Sequence, residues 1–215
     1  MRLVDLSHPI TPGMVTTTGL PGPEVLDHLT FEASRPHYAE GTEFCIRDLR
    51  MVSATGTYLD APAHRWRDGV DVAGLPLERC AGLRVVVVDV EGLGVAGPET
   101  VPDDVADAAV LFRTGWSRHW GTARYRDPEH PHLSAACAEA LVAGGAALVG
   151  IDAVNVDDQV GRARPVHGTL LAAGIPVVEN LTNLAALTGG EELYAVPLAV
   201  VGMPSIPVRA LAVRR

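Results

Sequence analysis

The sequence predicts an α/β domain with an appended β-rich layer. Short apolar runs alternate with two helical segments in the second half of the chain, whereas residues 1–80 are rich in strand and loop patterns. The 22 glycines and 16 prolines are spread along the whole length, with no linker-like concentration. We therefore interpret residues 1–215 as a single domain.

Five short, mostly β-branched apolar runs predict the buried strands, because turn residues bound each of them. In chain order the runs are Arg84–Val90, Ala109–Phe112, Ala147–Ile151, Ile175–Val178 and Leu198–Val201. Ser134 is predicted to cap a helix over AACAEALVA, which ends at Gly144. A second helix is predicted from about Val166 to Ala173, before Gly174.

Composition excludes several classes of protein. A chain with 47% hydrophobic and 20% charged residues is typical of a globular domain. The 17 basic and 26 acidic residues give a net charge of −9, so neither nucleic acid nor an anionic membrane surface is expected as a partner. All 17 basic residues are arginine, and the absence of lysine excludes PLP enzymes and P-loop NTPases.

The three cysteines, Cys45, Cys80 and Cys137, lie far apart and form no Cys-x-x-Cys pair. Such a dispersed, odd set favours free thiols in a reducing compartment. The opening residues MRLVDLSHPI lack the long apolar run of a signal peptide, and no stretch approaches the roughly 18 uncharged residues of a membrane span. We therefore expect a cytoplasmic protein.

The glycine-rich run Gly92–Gly97 matches the G-x-G-x-x-G pattern of dinucleotide sites. Such a site requires a helix that begins within the glycines, but Pro98 and Pro102 delay any helix. The run is interpreted as a surface turn, and no nucleotide, PLP or haem cofactor is expected.

The segment Thr55–His64 carries the first group of candidate catalytic residues. Ala61 precedes a proline and must be extended, and alternate residues of an extended chain share a face. Tyr58, Asp60 and His64 are therefore expected to point the same way. A phenol, a carboxylate and an imidazole on one face can bind a metal or transfer protons. The alternative is that Asp60 caps a turn and His64 is a surface residue.

His167 and Glu179 form the second group. His167 opens the second predicted helix and Glu179 ends the next strand, so both can lie at one end of a helix–strand unit. The alternative is that both side chains are solvated. If the two groups meet, all five side chains converge in one pocket, and a separation of more than about 10 Å between His167 and Asp60 would exclude a shared metal.

Several separated motifs resemble the cyclase family that contains bacterial kynurenine formamidase and isatin hydrolase. The family signature His-x-Gly-Thr-His-x-Asp-x-Pro-x-His aligns with Ala54–His64. Further matches, in the family's order, are Asp5–Ile10, Arg113–Trp116, Gly150–Asp152 and the block from His167 to Leu181. The resemblance implies the family's swivelling β/β/α domain and assembly as a homodimer or larger homo-oligomer.

The resemblance also implies a metal site. In the family, the two signature histidines, the aspartate, a later histidine and a later glutamate hold one or two divalent metals, and the last signature histidine is the general acid/base. Asp60, His167 and Glu179 match three of these ligands, and His64 matches the acid/base residue.

Two departures fall on that metal site. Ala54 and Tyr58 stand in place of the two signature histidines. Alanine has no ligand atom, and a neutral phenol is a poor substitute for imidazole. We therefore expect at most one divalent ion per chain, zinc or manganese, with a metal-free site as the alternative.

Three functions remain open for the small-molecule substrate that such a pocket would take. The first is hydrolysis of a C–N bond of amide or formamide type, or of a lactone, in a small cyclic or aryl substrate. Water would be activated at Asp60, His167 and Glu179, with His64 as general acid/base. The second is a metal-free cyclase or lyase of secondary metabolism that uses acid/base chemistry of Tyr58, Asp60, His64 and Glu179. The third is a non-catalytic small-molecule-binding protein.

Three further residues are candidates for substrate binding: Arg65, Trp66 and Thr17. Arg65 follows His64 directly and is suited to an anionic substrate. Thr17 lies in the stretch Val15–Gly19, which lacks the aromatic residue that family members place there.

Overall fold

The computed structural model describes residues 1–215 and contains thirteen strands and three α-helices. The strands are β1 Arg2–Asp5, β2 Glu24–Leu29, β3 Ile46–Arg50, β4 Tyr58–Asp60, β5 Ala81–Asp89, β6 Val95–Ala96, β7 Ala108–Arg113, β8 His132–Leu133, β9 Leu148–Ile151, β10 Val177–Glu179, β11 Glu192–Tyr194, β12 Ser205–Pro207 and β13 Leu211–Arg214. The helices are α1 Phe31–Ser34, α2 Ala135–Ala143 and α3 Pro165–Ala172. Short 3-10 turns include Pro62–His64, Trp116–His119 and Ala123–Arg126.

Nine strands form one mixed sheet in the order β1-β13-β11-β5-β7-β9-β10-β4-β12. The central strands β5, β7, β9 and β10 run parallel, and antiparallel neighbours extend the sheet towards both edges. The other four strands form the two-stranded ladders β2–β3 and β6–β8. The predicted α/β class is confirmed.

The central strands are buried on both faces because their side chains alternate between two hydrophobic cores. In β7, Ala109 and Leu111 belong to one core, while Val110 and Phe112 belong to the other. Burial of each large apolar side chain contributes about 1.5–3 kcal/mol. The two cores therefore fix the strand ends that carry the polar site.

Helices α2 and α3 pack against the second core. Ser134 caps α2, as predicted: its hydroxyl accepts a hydrogen bond from the Cys137 N–H at 3.1 Å. The helix gives way to Gly144 at the predicted position. Helix α3 begins and ends one residue earlier than the predicted span.

Two sequence predictions about the strands are wrong. The run Leu198–Val201 is not a strand: Leu198 is 67% and Val201 86% exposed, and the segment is irregular, pairs with no strand and leads into a turn at Val201. The first 80 residues do not form a separate β layer, because β1 and β4 pair within the main sheet. Of the strands in these residues, only β2 and β3 lie outside the main sheet, as an exposed hairpin.

No helix of the structure combines the length and the apolarity needed to cross a membrane. All three cysteines are free. Burial raises the pKa of the Cys137 thiol to about 11, which disfavours the reactive thiolate.

Candidate active site

Strands β4 and β10 bring the first polar groups together. The two strands are antiparallel, and Tyr58 lies directly opposite Glu179 in the register. The Tyr58 hydroxyl donates a hydrogen bond to Glu179 Oε2. Because alternate residues of a strand share a face, Asp60 points to the same side as Tyr58. All three residues are at most 5% exposed.

The first turn of α3 brings in His167, and Asp157 fixes its orientation. Asp157 accepts hydrogen bonds from the backbone N–H groups of Val166 at 2.7 Å and His167 at 3.0 Å. The same carboxylate contacts His167 Nδ1 at 2.6 Å. His167 Nε2 is therefore the atom that faces the β4 and β10 side chains.

The two predicted groups meet at His167. Its Nε2 lies 3.5 Å from Asp60 Oδ2 and 3.4 Å from Glu179 Oε1. His64 Nδ1 lies 3.5 Å from Asp60 Oδ1. The structure thus brings all five predicted side chains into one cluster. The alternative, in which His167 and Glu179 are solvated, does not hold, because they are only 4% and 0% exposed.

His64 reaches the cluster by a different path from the expected one. Ala61 is extended, with φ −90° and ψ 164°, as its position before proline requires. The chain then turns in the 3-10 segment Pro62–His64, so strand alternation does not extend to His64. The turn leaves the His64 side chain 39% exposed beside a fully buried Asp60.

Burial and charge shift the protonation of the buried cluster members. Burial opposes the charged form of His167, but its contacts with Asp157, Asp60 and Glu179 outweigh this and raise its pKa well above the ordinary value. Burial also raises the pKa of Glu179, against the opposing charge of His167. The pKa of Tyr58 lies well above its usual range because of burial and the charge of Glu179. The cluster therefore favours positive charge at its centre.

Three buried polar atoms of the cluster have no hydrogen-bond partner: Asp60 Oδ1, Asp60 Oδ2 and His167 Nε2. Unpartnered buried polar atoms are costly, and two carboxylate oxygens facing an imidazole nitrogen match the donors of a divalent cation. Asp60, His64 and His167 offer ligand atoms that all lie within 4.8 Å of one another. The residues present therefore fit a metal ion.

Glu179 differs from Asp60 in this respect. Its Oε2 accepts from Tyr58 and its Oε1 accepts from the Val156 N–H at 2.8 Å. Each carboxylate oxygen has a further lone pair, so these bonds leave Glu179 able to bind a cation. Ala54 offers no donor, as expected from the sequence.

The three residues predicted for substrate binding lie differently. The Arg65 guanidinium lies over the Trp66 ring, 4.7 Å from its centroid. Trp66 donates from Nε1 to the Gly168 carbonyl at 3.3 Å and so contacts α3, the helix that carries His167. Thr17 has no hydrogen bond to the cluster, whereas its buried neighbour Thr16 accepts from the Gly56 N–H at 2.8 Å.

A cavity of about 680 Å³ is lined in part by the loop that follows His64. Its lining includes Pro62, Trp66, Arg67, Val70 and Leu171, and none of the five cluster residues lines it. The substrate-binding roles predicted for Arg65, Trp66 and Thr17 stay predictions.

Sequence reasoning missed Asp157 and a role for Asn180. Asp157 lies in the loop before α3 and accepts from backbone N–H groups of the first turn of that helix. It is too far in sequence from the helix start, Pro165, to be identified as a cap from the sequence. Asn180 follows Glu179 with a left-handed φ of +58°. Its side chain accepts from the Tyr125 hydroxyl at 2.8 Å and donates to the Gly56 carbonyl at 2.9 Å, which joins three separate segments beside the cluster.

Residues 4–158 match the model of the Cyclase family, described as "Putative cyclase". The kynurenine formamidase of Salinibacter ruber is 33% identical over 218 residues, covering 98% of this chain and 97% of that enzyme.

Two solved structures have a similar fold. Isatin hydrolase A from Ralstonia solanacearum superposes with a TM-score of 0.83 at 24% identity, covering 100% of this chain and 92% of its own. A protein described as a potential metal-dependent hydrolase with cyclase activity gives a TM-score of 0.80 at 24% identity, with 100% and 98% coverage.

Proposed function

The chain belongs to the cyclase family and is a hydrolase, and we propose that it cleaves a C–N bond of amide or formamide type, or a lactone, in a small aryl substrate. The names of the formamidase and isatin hydrolase relatives support this substrate class. The observation that carries the proposal is the set of unpartnered atoms on Asp60 and His167 within one buried polar cluster.

We propose that Asp60, His167 and Glu179 hold one divalent cation, zinc or manganese. Glu179 is assigned as the third donor because its Oε1 lies 3.4 Å from His167 Nε2. When bound, the cation would supply Lewis acidity, which polarises a carbonyl group and lowers the pKa of water. Asp157 holds the His167 ring by its Nδ1 and keeps Nε2 directed at the centre.

His64 is assigned the proton-transfer step. Its side chain is 39% exposed, so it can exchange protons with solvent, and its Nδ1 lies 3.5 Å from Asp60 Oδ1 at the edge of the buried cluster. An imidazole in this position can take a proton from the attacking water and give one to the leaving nitrogen. The Tyr58 hydroxyl donates a hydrogen bond to Glu179 and thereby orients that carboxylate.

Turnover of two model amides tests this function. Protein purified without chelator should hydrolyse an N-formyl arylamine, with release of formate and the free amine in equal amounts. An aryl lactam serves as the second substrate, and a protein from which metal has been stripped serves as the control. The proposal would be overturned if the metal-loaded protein hydrolysed none of three compounds: the N-formyl arylamine, the aryl lactam and the aryl lactone that corresponds to the lactam.

We further propose that the protein is a cytoplasmic homodimer. Free cysteines support the location. The β2–β3 hairpin supports the dimer, because a two-stranded ribbon is marginal alone and this one, with the segment that joins its strands, exposes several apolar side chains. Six of them, exposed by 42–56%, are Val25, Leu26, Phe31, Phe44, Ile46 and Leu49.

The mass in solution should be twice 22.6 kDa by light scattering coupled to gel filtration. Val25 and Leu49 pair across the hairpin and share one face. The double variant Val25→Glu, Leu49→Glu should therefore shift the protein to the monomer mass with an unchanged circular dichroism spectrum. A monomeric wild-type protein at micromolar concentration would contradict the dimer.

A further inference from the structure

A stacked pair of rings, His8 and Trp120, has no role in the mechanism above. Their ring centroids are 3.9 Å apart and their planes differ by 3°. Burial lowers the pKa of His8 to about 4, so its imidazole is neutral at neutral pH. His8 Nε2 is buried and lacks a hydrogen-bond partner. The pair is therefore a flat, uncharged aromatic unit whose one unpartnered polar atom is buried.

His8 is joined through Thr57 to the strand that carries Tyr58. Its backbone N–H donates to Thr57 Oγ1 at 3.0 Å, and Thr57 immediately precedes Tyr58 in the chain. Thr57 in turn donates its hydroxyl to the Asn180 carbonyl at 2.6 Å. The position of the His8 ring is thus tied to the same strand that carries Tyr58.

Trp120 is joined through Tyr125 to Asn180. It packs edge-on against Tyr125, with ring centroids 4.9 Å apart and planes at 77°. Tyr125 is 1% exposed, and its hydroxyl donates to Asn180 Oδ1 at 2.8 Å. Asn180 directly follows Glu179, so the ring pair lies between segments that adjoin two members of the cluster.

The loop that carries Trp120 is fixed at its start by Asp152, which is 2% exposed. Asp152 Oδ1 accepts from the N–H and the hydroxyl of Thr114 at 2.7 and 2.6 Å, and Oδ2 accepts from the Gly115 N–H at 3.0 Å. No arginine or histidine pairs with this carboxylate, so these hydrogen bonds from the loop are what offsets the desolvation cost of burying it. Gly115 has a φ of +72°, which a side chain would disfavour, and there the chain turns into the loop.

We propose that His8 and Trp120 form the wall that recognises the planar ring of an aryl substrate, and that Asp152 is the positioning residue that holds this wall. The proposal rests on the proposed hydrolase function. Aromatic faces favour flat partners, because offset stacking adds to the gain from burial. Trp120 is only partly buried, so part of its indole is open to a ligand.

The test compares two ligands of similar size, N-phenylformamide and N-cyclohexylformamide, since only the first is planar. Binding to the full-length protein is measured by calorimetry after the metal has been stripped, so that the phenyl compound is not hydrolysed during the titration. The wild-type protein should prefer the phenyl compound, and Trp120→Leu should reduce that preference about 2- to 10-fold. Trp120→Phe should restore most of it. Tyr38→Leu removes an exposed aromatic ring that has no part in the site; it is the matched control and should leave the preference unchanged. No preference in the wild-type protein, or its loss only in Tyr38→Leu, overturns the wall.

Asp152→Asn tests the positioning role. Asparagine can keep the Thr114 contacts through its amide oxygen but cannot accept from Gly115 N–H with its NH₂ group. We expect a raised KM for the phenyl substrate with kcat changed less than about twofold, and an altered near-ultraviolet dichroism of the loop tryptophans. Ser117→Ala loses only a 3.4 Å contact to Asp152 and is the control. A lower Tm with an unchanged KM would show a structural role alone.

The same experiments separate this proposal from the proposed function. If neither formamide is hydrolysed but the phenyl preference in binding depends on Trp120, the wall stands and the hydrolytic assignment fails. If the phenyl compound is hydrolysed and Trp120→Leu keeps the full preference, the wall is wrong and the hydrolytic assignment stands.

Discussion

Replacing His64 with alanine should lower turnover of the aryl amide by about 10²- to 10⁴-fold, the usual contribution of a general acid/base. His64 is the one imidazole of the cluster that has substantial solvent access, and its Nδ1 lies 3.5 Å from Asp60. Removal of this ring deletes the path by which a proton enters or leaves the buried centre. Turnover is measured by formate release, alongside the bound metal and the midpoint of thermal unfolding.

The control is His37→Ala, which removes an exposed imidazole in the turn after α1 that makes no hydrogen bond or ion pair. It should keep wild-type turnover. His64→Ala should also keep the wild-type metal content, because the assigned donors are Asp60, His167 and Glu179. Undiminished turnover in His64→Ala would remove its catalytic role, and loss of the metal would show that His64 is a ligand instead.

The parts of the fold that were predictable depend on local sequence. Ser134 caps α2 because a hydroxyl before an alanine-rich run satisfies a free backbone N–H wherever the helix lies. The β7 run is apolar at every position but its last, since both faces of a central strand are covered. The run Leu198–Val201 has a similar composition but no strand to pair with, and composition alone does not reveal this.

The site was predictable where chain direction and alternation constrain it. Tyr58 and Asp60 share a face because they are two residues apart in a strand. That Tyr58 lies opposite Glu179, 121 residues away, follows from a register that only the assembled sheet defines. Asp157 and Asn180 escaped prediction for the same reason, because their partners are distant or separated by an irregular loop.

Elemental analysis of protein purified without chelator should find one equivalent of divalent metal per chain. Asp60 and His167 present three unpartnered buried atoms to a common centre, enough to anchor one ion with Glu179 and water. A second ion would need further donor atoms. Ala54 has none, and the Tyr58 hydroxyl is engaged in its hydrogen bond to Glu179.

Asp60→Asn should abolish metal binding and lower turnover to the level of the stripped protein, since an amide oxygen carries no net charge to balance the ion. Asp68→Asn is the matched control, because Asp68 is an exposed carboxylate of the nearby loop without a hydrogen-bond partner, and it should bind metal as the wild type does. Two equivalents of metal per wild-type chain would show that Tyr58 or another group is a ligand. A wild-type protein that contains no metal and still turns over substrate would establish acid/base chemistry of Tyr58, Asp60, His64 and Glu179 as the mechanism. Glu179 can take part because burial raises its pKa and so allows it to carry a proton near neutral pH.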